Sequence, residues 1–179
     1  MTPRSPSASS PSASAASGTS PNEPGRESPY EVRVAEGEDD RAACFAVRTE
    51  VFVREQCVPA AIESDADDGG AVHVLAVGPD GSLGTGRLLH GPAAAARNGG
   101  DERIGGLGRL AVTRAARGLG VGAAVVRAIE GEGRRLGLTA IDLHAQASAT
   151  GFYERLGYAP YGEEFREAGI AHRSMRKLL

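Results

Sequence analysis

Gly108-Arg109-Leu110-Ala111-Val112-Thr113-Arg114-Ala115-Ala116-Arg117-Gly118-Leu119-Gly120-Val121-Gly122-Ala123-Ala124-Val125 is the stretch that decides the fold. It reads as an apolar strand entering an arginine- and glycine-rich turn, and the turn opens an amphipathic helix. Glycines let the backbone approach a ligand closely, and the first N–H groups of a helix have no partner inside it. With the helix dipole these groups favour an anion, and Arg114 and Arg117 can add charge-assisted hydrogen bonds. The turn is a phosphate site. A P-loop needs Gly-Lys-Ser/Thr, and the chain's one lysine is Lys177, so that reading fails. Gly118-x-Gly120-x-x-Ala123 also fits a relaxed dinucleotide fingerprint, with Asp142 roughly 20 residues further on. A dinucleotide domain, however, places that turn after its first strand and follows it with several strand–helix units. Here about three strands come first and too little chain follows.

Upstream, residues 30–35 alternate like a first strand. Asp39 or Asp40 can cap a helix reaching about Gln56, with Cys44, Val47 and Val51 on one face. Pro59 stops it, and an acidic loop follows. Residues 72–77 and 83–89 read as strands joined by the turn Gly78-Pro79-Asp80-Gly81. Residues 93–101 read as a loop, and 104–113 as the strand that feeds the phosphate turn. Val121, Val125 and Ile129 mark the buried face of the next helix, which ends near Gly137. A strand over 139–145, a short helix over 148–156 closed by Gly157, and strands over 159–165 and 171–178 complete a mixed sheet.

At 179 residues the chain can bury one ordinary core without disulfides or metal. Residues 1–28 are rich in Ser, Pro and Ala and nearly devoid of bulky apolar side chains. They cannot offset the entropy of ordering, so a disordered tail is expected before a single domain at 29–179. They also lack the apolar centre of a secretory signal, and no apolar run approaches the ~20 residues of a membrane helix. A formal net charge of −3 argues against a nucleic-acid surface. Cys44 and Cys57 have no metal-ligand spacing and read as reduced structural cysteines, which suits the cytoplasm. Residues 36–68 hold ten acidic side chains against three arginines, whereas 103–135 hold seven arginines against two glutamates. The first segment could attract a cation while the second receives a phosphorylated ligand.

A second signal is Leu143-His144-Ala145-Gln146-Ala147-Ser148-Ala149-Thr150-Gly151-Phe152-Tyr153-Glu154-Arg155-Leu156-Gly157-Tyr158. Together with Arg117-x-x-Gly120-x-Gly122, this strand-then-Phe-Tyr-x-x-x-Gly-Tyr arrangement resembles the GNAT acyltransferase superfamily. Two further stretches narrow the resemblance to its ElaA-like branch. One is Val51-Phe52-Val53-x-Glu55-Gln56-x-Val58-Pro59 with Glu63, Asp65, Asp68 and His73. The other is Phe165-x-Glu167-x-Gly169-Ile170-x-His172-x-x-Met175.

The resemblance covers about 30–179 and implies an α/β domain with a mixed, mainly antiparallel sheet flanked by helices. Two parallel strands should splay to leave a cleft for CoA. The implied reaction moves an acetyl group directly from acetyl-CoA to an amine, with neither metal nor redox cofactor. The rival reading is a CoA-binding module of the same fold without turnover. Arg117, Gly118, Leu119, Gly120, Val121 and Gly122 are then expected at the pyrophosphate. Backbone N–H groups of Leu110, Ala111 and Val112 should support the pantetheine and the developing oxyanion. Gln146 at a strand end could orient substrate or water, and Tyr153 is the implied acid for the departing thiolate.

An ammonium must lose a proton before it can attack. His73, His172 and Glu63 are the candidate bases, with Glu63 and Asp65 alternatively holding a cationic acceptor. Ile104-Gly105-Gly106-Leu107-Gly108 departs from the family by leaving no carboxylate on that strand. Arg109 could meet an acidic substrate group or form a buried ion pair. The acceptor amine stays open, and a homodimer is the usual expectation for such a domain.

Overall fold

The computed structural model describes residues 29–167 and 169–179; the expected tail at 1–28 lies outside them. The described strands are β1 Glu31–Val34, β2 Val72–Gly78, β3 Gly81–Leu89, β4 Ile104–Val112, β5 Ala140–Gln146, β6 Ala159–Glu167 and β7 Ile170–Leu178. They form one sheet in the order β1-β2-β3-β4-β5-β7-β6, antiparallel throughout except between β4 and β5. This is the mixed, mainly antiparallel sheet that the sequence implies.

Helices cover both faces. α4, Val121–Arg135, sits directly on β3, where a Cβ at Gly86 would lie 2.7 Å from Ile129. It shares the main core with α5, Thr150–Arg155, through residues such as Val125, Ile129, Tyr153 and Tyr158. α1, Gly37–Arg48, covers the opposite face, where Val47 and Val51 meet Ala111. Glycines at 84 and 86 on β3 alternate with Thr85 and Arg87, so one face admits a helix closely while the other carries buried polar groups.

Two elements differ from expectation. Residues read as a loop form α3, Gly91–Asn98, with Pro92 in its first turn and Gly99 at φ +87 closing it. The four alanines between them have high helix propensity, and this outweighs the glycine-rich surroundings. The first helix does not run regularly to Gln56: beyond Arg48 it widens into a π-helical segment, Thr49–Glu55. Such segments are rare and occur mostly at functional sites. A short helix α2, Ala60–Glu63, and a 3₁₀ turn at Ala66–Gly69 follow.

The sheet's one parallel pairing is short. Ile104–Leu107 of β4 faces Ala140–Leu143 of β5, and then the strands part. Beyond that point β4 stays with β3 as far as Val112, while β5 stays with β7 as far as Gln146. A bulge lies in β4 between the partners of Thr85 and Arg87, with Arg109 at φ +53. The edge of β4 that faces β5 therefore has no strand partner from Gly108 onward, and a cleft opens there.

Candidate active site

A cavity of about 450 Å³ occupies the cleft and the α1 side of the sheet beyond it. Leu110 of β4, Phe152 and Tyr153 of α5, and Gln146 of β5 line its inner end. Phe52, Val58 and Ile62 from the segment after α1 form one wall, and Leu89 with Ala94 another. On β5, Asp142, His144 and Gln146 face the cavity, while Ile141, Leu143 and Ala145 alternate into the core.

The phosphate turn lies at the end of β4. Gly118 and Gly120 have φ of +82 and +80, a left-handed conformation that an L side chain resists. The first α4 hydrogen bond is Ala124 N–H to Gly120 C=O, so the N–H groups of Val121, Gly122 and Ala123 have no acceptor within the helix. Gly122 also permits close contact: its Cβ would lie 3.4 Å from Phe152. Arg117 differs from the expectation of a waiting phosphate ligand. Its guanidinium makes a bidentate pair with Glu55 at 2.7 and 2.8 Å, and its Nε–H donates to Val112 C=O at 3.2 Å.

Tyr153 is buried against Phe152 and Tyr158, and its hydroxyl has no hydrogen-bond partner among the described residues. Burial pushes its pKa far above the ordinary tyrosine value, so it stays protonated through the working pH range. Gln146 donates to Gln56 Oε1 across the cleft at 3.0 Å. His172, opposite Gln146 in the β5–β7 register, has Nδ1 2.9 Å from Ile170 C=O. A carbonyl only accepts, so Nδ1 carries the proton in the neutral ring and Nε2 keeps a lone pair for another proton.

The other two proposed bases are placed differently. His73 is buried beneath α1 against Phe45 and does not line the cavity. Its Nε2 sits 3.0 Å from Asp68 C=O, and its Nδ1 is buried without a partner. Burial holds its pKa below the ordinary histidine value. Among the described residues it packs as a structural histidine beneath α1, away from the cavity lining. Glu63 touches the cavity, but its carboxylate is bound by the buried Arg48 Nε–H. With its carboxylate already paired to that guanidinium, Glu63 is a poor holder of a cationic acceptor.

The same correction applies to the acidic loop. Arg48 and Arg87, both fully buried, hold Asp68 at 2.7 and 2.8 Å, and Arg87 also holds Asp65 at 2.6 Å. Arg109 reaches back to Glu63 C=O at 2.7 Å and to Asp65 at 3.2 Å. Burial and the nearby Arg87 and Arg48 lower its pKa without removing its charge. Arg109 is thus the structural ion pair rather than a substrate contact. These charges lock the loop to the sheet.

Sequence reasoning missed His144 and Glu167. Both line the cavity, with His144 Nδ1 3.5 Å from Glu167 and the His144 ring edge-on to Phe165. Phe165 in turn stacks on His172. The available signal was the alternation of β5, which puts His144 on the same face as Gln146.

The turn follows the fourth strand of an antiparallel-rich sheet, which rules out the dinucleotide arrangement. Residues 34–179 match the family model described as an acetyltransferase (GNAT) domain. YjcF of Bacillus subtilis (strain 168), named as an uncharacterized N-acetyltransferase, is 34% identical over 145 residues, covering 80% of this chain and 96% of that protein. The crystal structure of Escherichia coli ElaA matches with a TM-score of 0.70 and 26% identity, covering 83% of this chain and 99% of that one. An acyl-CoA N-acyltransferase from Pseudomonas aeruginosa matches with a TM-score of 0.68 and 30% identity, covering 83% and 97%. With a splayed β4–β5 cleft, a glycine-rich turn opening α4 after β4 and a family match over nearly all the described chain, this protein belongs to the GNAT acetyltransferases.

Proposed function

We propose that the protein transfers an acetyl group from acetyl-CoA to a primary amine by direct attack within a ternary complex. The observation that supports this most is one of alignment. The free N–H groups of α4 follow β4 in the chain, the unpaired edge of β4 borders the cavity, and Tyr153 lines the same cavity. Acetyl-CoA supplies an activated acyl thioester. The N–H groups of Gly118 to Gly122 bind its pyrophosphate, with Arg117 exchanging Glu55 for phosphate oxygen. Leu110, Ala111 and Val112 hold the pantetheine arm by main-chain hydrogen bonds and offer N–H groups to the carbonyl oxygen as charge develops.

His172 Nε2 takes the proton of the attacking amine, directly or through one water. Gln146, tied to Gln56, orients that water or the amine. As the new C–N bond forms and the C–S bond breaks, the Tyr153 hydroxyl gives its proton to the departing sulfur. The reaction is assigned to the cytoplasm, where Cys44 and Cys57, both free in the structure, stay reduced.

Single-turnover thiol release tests this assignment. Tyr153→Phe keeps the ring and is expected to leave acetyl-CoA affinity within about twofold while slowing the chemical step ~10²–10⁴-fold. His172→Gln is expected to slow the same step while leaving acetyl-CoA affinity little changed. A Tyr153→Phe rate equal to wild type at every pH would show that solvent protonates the thiolate. Tight acetyl-CoA binding with no transfer to any amine would establish the non-catalytic module instead.

A further inference from the structure

The charged side chains around the cavity are all engaged by a counter-ion except one carboxylate. Glu63 is held by Arg48, and Asp142 by Arg176 together with the Tyr161 hydroxyl at 2.9 Å. Arg87, Arg97 and Arg109 are held by Asp65, Asp67 and Asp68. Glu167 stands apart: among the described residues its only ionisable neighbour at salt-bridge range is His144, 3.5 Å away. Its carboxylate is 56% exposed at the end of β6, where the cavity opens. Glu163 and Glu164 are exposed on the same strand, and Arg166 turns away to donate to Gly169 C=O. The β6 end of the cavity therefore carries exposed carboxylates, which favour an arriving cation there.

Between this mouth and Tyr153 apolar side chains alternate with polar groups that are already paired, such as Gln146 with Gln56 and Asp142 with Arg176. Phe52, Val58, Leu89 and Ile170 line the cavity there, and no side chain rises from Gly106 or Gly108 on its floor. A Cβ at Gly108 would meet nothing within 4 Å, which marks open space along β4. The Phe165 ring bridges the two ends, its centroid 6.0 Å from His172 and 4.8 Å from His144. An alkyl stem fits such a passage, and a full negative charge at its end selects what the stem carries.

We infer that the acceptor carries a second cationic group: a primary amine at the reacting end, a short alkyl stem through the cavity, and a distal ammonium received by Glu167 at the mouth. This rests on the transfer reading above. Glu167 then determines specificity through acceptor binding, while His144 beside it keeps the carboxylate turned to the mouth.

Diaminobutane, butylamine and aminobutyrate share a stem and differ in distal charge, so they separate the alternatives. With the full chain and saturating acetyl-CoA, thiol release should give diaminobutane a kcat/KM about two- to fivefold above butylamine, the ratio one screened ion contact supplies, and aminobutyrate should be poorer still. E167Q should raise the diaminobutane KM by about the same factor, bringing it to the level of butylamine, with kcat changed less. E167K should reverse the order of diaminobutane and aminobutyrate. Thermal midpoints and acetyl-CoA affinities measured for both variants identify any folding defect. Equal kcat/KM for diaminobutane and butylamine in the wild type overturns the inference and leaves acetyl transfer standing, as does a diamine preference that survives in E167Q. Acetyl-CoA binding with no thiol release for any amine overturns the transfer reading and the inference with it.

Discussion

The phosphate turn at residues 117–123 and the acidic loop at residues 59–70 are both rich in polar groups, and they treat them in opposite ways. The turn leaves its donors open: N–H groups at the start of α4 lack acceptors, and its arginine is held by an exposed glutamate. The loop closes its charges on themselves, with Arg48, Arg87 and Arg109 matched to Glu63, Asp65 and Asp68. A run of acids therefore says little about ligands until its counter-ions are located. A run of glycines at a helix start says more, because the backbone needs no partner from elsewhere to become a donor array.

The sharpest way to break this contrast is to open the closed side. Asp68→Ala removes acceptors from Arg48 Nη1, Arg87 Nη1 and the Asp65 N–H at once. Leaving buried guanidiniums uncompensated should cost about 3–5 kcal/mol, a large share of a typical domain's ~5–15 kcal/mol. Denaturant unfolding measures it, and a loss below ~1 kcal/mol would mean that water screens the network.

Acid should act in the same direction. Burial alone would raise the Asp68 pKa, but hydrogen bonds from Arg48, the Asp65 N–H and Arg87 outweigh it and hold the carboxyl well below the ordinary value. A depressed folded pKa stabilises above the unfolded value of about 3.9, and that stability drains away as pH falls further. Wild-type stability should drop steeply below roughly pH 4, with a shallower drop in Asp68→Ala.

Blocking the open side has a smaller and more local effect. Gly120→Val places a β-branched residue at φ +80 with its Cβ 3.5 Å from the Tyr30 hydroxyl. The strain is about 1–2 kcal/mol, which the turn can relieve only by moving the N–H groups it presents. Acetyl-CoA affinity measured by calorimetry should fall about tenfold or more, with a thermal midpoint lowered by a few degrees. An unchanged affinity would move the phosphate elsewhere.

What could be read in advance follows the same division. The glycine turn before α4, the 78–81 hairpin and the apolar stripe of α4 are local patterns, and all three appear where their residues stand. α3 was legible in principle from Pro92 and Gly99, but its alanines lie among glycines that favour a loop reading. The π-helical segment carries no local signature, since its widening is settled by what α1 meets after Arg48. Asp68 and Arg87 meet only through the seating of the loop on β3, and the one histidine near them, His73, is buried by that contact. His144 and Glu167 come together across β5, β7 and β6, a juxtaposition that depends on strand order rather than on either residue's neighbours.

The smallest expected effect lies where the two regions touch. Glu55 ends the π-helical segment that also brings Phe52 to the acceptor wall, and it holds Arg117 of the donor turn. In the proposed complex, phosphate competes with it for the guanidinium. Glu55→Gln removes the competing charge and should tighten acetyl-CoA binding by about two- to fivefold, the scale of an exposed ion pair. The gain should shrink as salt is raised, because both contacts are screened. The Arg117 hydrogen bond holds the Glu55 carboxyl below its ordinary pKa, so the pair survives mild acid and the gain should persist at pH 5. Weaker binding in Glu55→Gln would reverse the relation, making Glu55 the group that aims Arg117 at the phosphate. The acceptor wall and the donor turn would then be tightened together when acetyl-CoA binds.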